Sequence, residues 1–180
     1  MIMDKAEIGK ILNAFNINDF KWIEAKDIEV ANWVRFKCLF GCDSFGSKAS
    51  CPPQVPSIQE CKQFFSEYQR AILLHFKKKL KNPDERGSWG KEINDHLIRL
   101  EREIFLKGYH MAFVLFIDEC HMCYECALSR SECHHKQESR PSPEALGVDV
   151  FATARKYGYP ISVLKSFSDE MNRFGILLID

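Results

Sequence analysis

The sequence predicts an α/β fold, namely a single-domain mixed sheet of about five strands with flanking helices and two cysteine-rich loops at strand ends. Segments with the helical period of apolar residues alternate with short apolar or β-branched runs of strand length. No repeat, low-complexity tract or Ser/Gly linker interrupts the 180 residues, a length that suits one domain. We therefore expect one domain over residues 1–180.

Two helices and two strands are predicted in the N-terminal half. Apolar residues at helical spacing predict a helix over residues 5–15. Alternation of apolar and polar residues over 30–36 predicts a strand that runs into Cys38. The sequence S-I-Q-E at 57–60 is a capping box, which starts a helix, and the run AILLHF at 71–76 predicts the next strand.

The C-terminal half continues the alternation. Ile93, Leu97, Leu100 and Ile104 mark one face of a helix over 88–107. The apolar run MAFVLFI at 111–117 predicts a strand covered on both faces, which leads directly towards Cys120. The remaining predicted elements are helical turns at 143–146 and 149–157 and short strands at 161–164 and 174–179.

Composition and charge exclude several classes of function. The 25 basic and 25 acidic residues cancel, so no global field favours nucleic acid or an anionic membrane. No apolar run approaches the roughly 20 residues that span a bilayer. The N-terminus lacks the uninterrupted apolar region of a signal peptide, which predicts a cytoplasmic protein with reduced thiols. Neither a Walker loop nor a G-x-G-x-x-G motif is present, so nucleotide chemistry has no support.

The strongest chemical signal is the run CHMCYECALSRSEC at 120–133. Its cysteines, here called the C-terminal cysteine group, follow the spacing C-x2-C-x2-C-x6-C. Thiolates at two-residue gaps on a tight loop can each bind one iron of a cubane, and a more distant cysteine can bind the fourth. The group therefore predicts a [4Fe-4S] site, with a four-thiolate zinc site as the alternative. Its members are Cys120, Cys123, Cys126 and Cys133.

A second set of thiols lies in the run CLFGCDSFGSKASCPP at 38–53. Cys38, Cys42 and Cys51 are here called the N-terminal cysteine group. Its glycines permit close backbone approach and its terminal prolines disfavour a helix, so the loop is suited to wrap a cluster. Cys61 is either its fourth ligand or a small buried core residue. If Cys61 is not a ligand, one iron stays open to substrate, which would turn an electron carrier into a Lewis-acid or sulfur-transfer site.

Polar residues near the cysteine loops have two interpretations each. Histidines at 121, 134 and 135 are either metal ligands or proton carriers, or else ordinary surface residues. Arg130 and Arg140 either donate hydrogen bonds to cluster sulfurs or are exposed to solvent. Glu144 is most simply explained as an acidic residue at the start of a helical turn.

Together, both cysteine runs and the segment RPSPEALGVDVFATARKYG at 140–158 resemble a cysteine-rich family of predicted metal-binding proteins of unknown function, common in anaerobic archaea and bacteria. The resemblance covers roughly residues 30 to 165. It implies metal binding, and Cys61 is not part of its pattern, which favours the open iron. The ligands that it implies are Cys38, Cys42, Cys51, Cys120, Cys123, Cys126 and Cys133.

We therefore expect an iron-sulfur protein with two [4Fe-4S] clusters that acts in electron transfer. One alternative is an enzyme in which the N-terminal cysteine group holds a cluster with an open iron for small-substrate or sulfur chemistry. The other is a zinc-bound structural or adaptor module. The expected partner is a redox protein or a small-molecule substrate.

Overall fold

A four-stranded antiparallel sheet forms the centre of the protein in the computed structural model, which describes residues 4–166 and 168–180. The strand order is β1-β2-β4-β3. Strand β2 pairs with β4 over eight residue pairs, from Ala71 opposite Leu178 to Lys78 opposite Met171. The strands are β1 (Phe20–Glu24), β2 (Arg70–Lys78), β3 (Phe113–Leu115) and β4 (Met171–Leu178).

Helices cover both faces of this sheet. Helices α1 and α4 pack on one face, where Ile72 and Leu74 of β2 point, and α3 and α5 pack on the other face, where Leu73 points. This alternation follows from the two-residue period of a strand. The helices are α1 (Lys5–Ala14), α2 (Asn32–Gly41), α3 (Ile58–Ser66), α4 (Glu85–Leu106) and α5 (Val150–Lys156), with 3₁₀ turns at Ala25–Asp27 and Glu144–Leu146.

Local capping groups explain where three helices begin. The Asp4 carboxylate accepts hydrogen bonds from the Ala6 and Glu7 amides at the start of α1. The predicted capping box at the start of α3 is confirmed, because Ser57 and Glu60 bond to each other's backbone amides. Asp149 caps α5 in the same way. Each cap satisfies backbone donors that have no partner inside the helix.

Three sequence predictions about the sheet are wrong. The segment predicted as a strand over 30–36 lies mainly in helix α2, so Cys38 is at a helix end rather than a strand end. Residues 161–164 form no strand, and β1, which was not predicted, supplies an edge strand instead. The sheet is wholly antiparallel rather than mixed, with four strands rather than about five. The α/β class itself is confirmed.

The helices predicted over 5–15 and 88–107 are present as α1 and α4. The strands predicted near 71–76, 111–117 and 174–179 are also present, although β3 is shorter than predicted. The chain ends α4 at Leu106, just before Gly108 with its positive φ of 97°. Within the described residues, no helix is both long enough and apolar enough to cross a membrane.

Candidate metal centre

Strand directions determine where the site lies. Both β2 and β3 run antiparallel to β4. Strand β2 ends opposite Met171 at the start of β4, and β3 ends opposite Ile176 and directs the chain that follows it towards the same end of the sheet. Helix α4 starts after β2, and the chain that leaves β3 passes through Asp118 to Cys120. Arg173 is the third residue of β4. This end of the sheet therefore collects groups that are far apart in the sequence.

The C-terminal cysteine group surrounds one small cavity. All four of its cysteines line this cavity, and Cys133 is buried. The remaining lining residues are Ala49, Ser50, Met122, His135 and Ser139. Burial raises the pKa of the Cys123 thiol, and the three other thiols of the group raise it further. The four cysteines of this loop therefore share one cavity.

Several donors face these sulfur atoms. The Ala49 amide donates a hydrogen bond to Cys126 Sγ at 3.2 Å. Arg130 donates from Nη1 to Cys133 Sγ at 3.7 Å, which agrees with one of its two sequence interpretations. The Ser50 hydroxyl is buried and has no hydrogen-bond partner among the described residues. Donors of this kind stabilise thiolates and the negative charge of a bound metal group.

The N-terminal cysteine group opens onto a larger cavity of about 580 Å³. Cys38 lies in the last turn of α2, Cys42 caps that helix, and Cys51 follows on the loop. Burial raises the pKa of Cys38, and the nearby Cys42 and Glu144 add to this effect. Burial likewise raises the pKa of Cys51 to about 12, together with the charges of Glu119 and of other cysteines.

The two cysteine groups are neighbours. Cys120 of the C-terminal group is among the charges that raise the Cys51 pKa. The hydrogen bond from the Ala49 amide to Cys126 also joins the two loops directly. The sequence alone does not reveal this proximity of the two groups.

Charged side chains also line the larger cavity. Arg86 of α4 donates from Nε and Nη2 to the two carboxylate oxygens of Asp118 at 2.8 and 3.0 Å. Burial raises the Asp118 pKa, but the bonds from Arg86 and the charge of Arg173 outweigh it, so the net pKa is lowered. Burial raises the pKa of Glu144, which lines the same cavity.

Arg173 has a different environment from Arg86. Its Nε is buried without a hydrogen-bond partner in the described part of the chain, and it lies 4.0 Å from the nearest Asp118 oxygen. Burial lowers the pKa of Arg173, as does the charge of Arg86, while Asp118 and Glu144 oppose the shift. Sequence reasoning missed Arg86 and Arg173, because no local motif marks either residue.

Cys61 lies apart from the other thiols. It is 2% exposed, packs in the core on the α3 side of the sheet, and directs its Sγ at the Pro56 carbonyl 3.6 Å away. The cavity beside it, about 410 Å³ and mostly apolar, has no other cysteine in its lining. Burial raises its pKa, with smaller contributions from charged neighbours. This placement favours the core interpretation of Cys61 over the ligand interpretation.

The histidines and Arg140 have distinct surroundings. His121 lines the larger cavity and His135 the smaller one, whereas His134 is exposed and lines neither. His135 Nδ1 lies 2.8 Å from a Glu138 carboxylate oxygen. Arg140 neither faces the sulfur atoms nor lies free in solvent, because it pairs with the buried Glu101.

The donor set determines which metal groups fit. All eight cysteines are described, and none forms a disulfide. Among the described residues, no three His, Cys, Asp or Glu side chains converge in a way that could hold a single metal ion. Cysteine thiolates with N–H donors nearby are ligands that both an iron-sulfur cluster and a zinc ion use.

Comparison with known proteins agrees with this metal-binding character. A family model described as "Predicted metal-binding protein (DUF2284)" matches residues 21–179, a span that includes both cysteine groups. A search of curated proteins and a search of solved structures found no significant match. The chain therefore belongs to the DUF2284 family of predicted metal-binding proteins.

Proposed function

We propose that the protein binds two [4Fe-4S] clusters, one at each cysteine group, and transfers electrons between them and a redox partner. The observation that carries this proposal is the placement of four thiols around one cavity directly beside three further thiols. The residues that would hold the first cluster are those of the C-terminal cysteine group. Reduced thiols are expected in the cytoplasm, which we propose as the location.

The C-terminal cysteine group is the better candidate for a pure electron relay. Its four thiolates would complete the ligation of a cubane, and the Ala49 amide and Arg130 guanidinium would hydrogen-bond to Cys126 and Cys133. Hydrogen bonds to cluster sulfurs are one determinant of the reduction potential. The buried Ser50 hydroxyl lines the same cavity and would supply a further donor.

A second candidate function is an enzyme at the N-terminal cysteine group, and the 580 Å³ cavity favours it. The cysteines that line this cavity are the three of the N-terminal cysteine group, whereas Cys61 lines a different cavity. When bound there, a cluster with three thiolate ligands supplies one iron as a Lewis acid. The chain's own charged residues, Arg86, Asp118 and Arg173, would bind and orient a small substrate in the same cavity.

The decisive experiment is metal and sulfide analysis, with electron paramagnetic resonance, on protein purified without oxygen. We expect about eight irons and about eight acid-labile sulfides per chain, and a paramagnetic signal on reduction. Zinc without sulfide would replace this proposal with the zinc module. Clusters that no low-potential donor can reduce would refute electron transfer.

Cysteine variants assign the clusters to the two groups. Cys126→Ser is expected to lose about half of the iron, and Cys42→Ser the other half, because each removes a ligand of a different cluster. Cys61→Ser is the matched control and should retain all of the iron, since its Sγ lies in the core near Pro56. Loss of a cluster in Cys61→Ser would show that Cys61 is a ligand and would exclude the open iron.

A further inference from the structure

Arg173 is a partly buried cation whose nearest carboxylate, that of Asp118, is beyond hydrogen-bond distance. Its side chain is 25% exposed, and neither its Nε nor its terminal nitrogens donate a hydrogen bond to any described residue. A guanidinium group carries five N–H donors and stays charged at every physiological pH. Burying a guanidinium N–H donor without an acceptor is unfavourable, so an acceptor from outside the chain would stabilise Arg173 in this position.

The carboxylate nearest to Arg173 is already occupied. Both oxygens of Asp118 accept hydrogen bonds from Arg86, and Oδ1 also accepts one from the Glu119 amide at 3.0 Å. Arg173 Nε is 4.0 Å from Asp118 Oδ2, beyond hydrogen-bond distance. The fork between Arg86 and Asp118 therefore fixes one wall of the cavity and leaves the donors of Arg173 available.

The position of Arg173 is built by the fold. The residue projects from β4 on the α4 face of the sheet, opposite Phe76 of β2. Residues at 171, 177 and 179 on the same face are buried in the core, so the backbone beneath Arg173 is held rigidly. A rigid strand is a precise support for a binding group.

We propose that the 580 Å³ cavity binds a small oxyanion, either an organic carboxylate or an inorganic oxyanion such as phosphate, through the guanidinium fork of Arg173. The volume lies within the range of small-molecule sites. Cys38, Cys42 and Cys51 line the same cavity, so the bound anion would face them. This site belongs to the proposed enzyme function, and the presence of a cluster beside the anion rests on that proposal. The contact with the anion itself involves only residues of this chain.

Isothermal titration calorimetry on anaerobically purified, cluster-loaded protein tests the proposal. The probes are oxalate, inorganic phosphate and the neutral oxalate isostere oxamide. We expect oxalate or phosphate to bind and oxamide not to bind, and the tighter of the two anions identifies the source of the oxyanion. Arg173→Met should weaken anion binding about tenfold or more, and Arg173→Lys should weaken it less, because lysine keeps the charge and loses the fork.

Arg155→Met is the matched control. Arg155 lies on α5, donates to the Ile161 carbonyl and does not line the cavity, so its loss should leave anion binding unchanged. Thermal unfolding and iron content of each variant show whether it is folded and loaded. If Arg173→Met does not fold, the weaker binding of Arg173→Lys relative to wild type carries the test.

Two results would overturn the proposal: wild-type protein that binds neither anion at millimolar concentration, or anion affinity that is the same in both Arg173 variants as in wild type. The same titrations on metal-free protein separate this inference from the cluster proposal. Arg173-dependent anion binding in a protein that carries no iron or sulfide even when purified without oxygen would support the anion site and refute the proposed function. A protein that carries both clusters but binds neither anion would support the proposed function and refute the anion site.

Discussion

Replacing Glu101 by Gln should destabilise the protein strongly, because this change leaves a buried cation without its counter-ion. The side chains of Glu101 and Arg140 are 10% and 14% exposed, and the two form a forked ion pair. Glu101 Oε2 also accepts a hydrogen bond from the Val114 amide of β3 at 2.7 Å. Arg140 in turn donates to the Gln137 and Ser139 carbonyls. The pair thus fastens the end of the C-terminal cysteine loop to α4 and β3.

The size of the effect follows from burial. Removing one partner of a buried ion pair costs about 3–5 kcal/mol, much of it from the uncompensated charge that remains. The glutamine oxygen can still accept from the Val114 amide, so we expect about 3 kcal/mol for Glu101→Gln. In a chain of this length each kcal/mol corresponds to a shift of about 2–4 °C in Tm. The expected loss is therefore about 6–12 °C.

Urea and thermal unfolding of metal-free protein measure this loss, and cluster retention in the loaded protein measures its effect on the site. Glu103→Gln is the control, because Glu103 is exposed on the same helix. The double variant Glu101→Gln/Arg140→Met should recover part of the stability, since it removes the unpaired cation. A loss below about 1 kcal/mol for Glu101→Gln would refute the claim that this pair is a buried anchor.

Two further predictions concern the backbone and pH. Gly147→Ala should lower the free energy of unfolding in urea by about 1–3 kcal/mol, because Gly147 has a φ of 81° and a new Cβ would collide with the Ile58 side chain. The control is Gly9→Ala, which should not destabilise the protein because Gly9 is at an open position inside α1. Burial raises the Asp19 pKa, but hydrogen bonding, chiefly with His75, outweighs it and lowers the net pKa below 3.8. The stabilisation by Asp19 is thus present above pH 3.8 and is lost as the pH falls through the pKa of the folded state. The difference in unfolding free energy between wild type and Asp19→Asn should be below about 1 kcal/mol, because the carboxylate is half-exposed, and it should vanish in acid. A difference that stays constant with pH would contradict this prediction.

Local signals in the sequence were sufficient for most helices and strands. The capping box of α3 involves residues three positions apart, and the core face of α4 repeats within one or two turns. Burial on both sides of β2 and β4 leaves apolar runs that are recognisable without knowledge of the fold. These elements are predictable because their determinants are close in sequence.

Helix α2 shows where this reasoning fails. Only Val34 of this helix is buried, while Trp33, Phe36 and Phe40 are exposed. Apolar residues normally mark the buried face of a helix, but in α2 they do not. The alternation of apolar and polar residues over 30–36 therefore led to the wrong prediction of a strand. Strand β1 was not predicted for a related reason. Ile23 is its only fully buried residue, and the charged residues beside it obscure the alternation of apolar and polar residues that indicates a strand.

The candidate site is predictable only in part for a deeper reason. Cysteine spacing identifies which thiols share a loop, because ligands on one loop are set by local geometry. Which loops meet depends on the strand order, which places the start of β4 next to the end of β2 and directs the chain after β3 towards the same end of the sheet. Arg173 therefore reaches a cavity whose thiols lie more than a hundred residues earlier in the chain. The placement of Arg173 in one cavity with Cys38, Cys42 and Cys51 is a property of this topology, and no motif in the sequence encodes it.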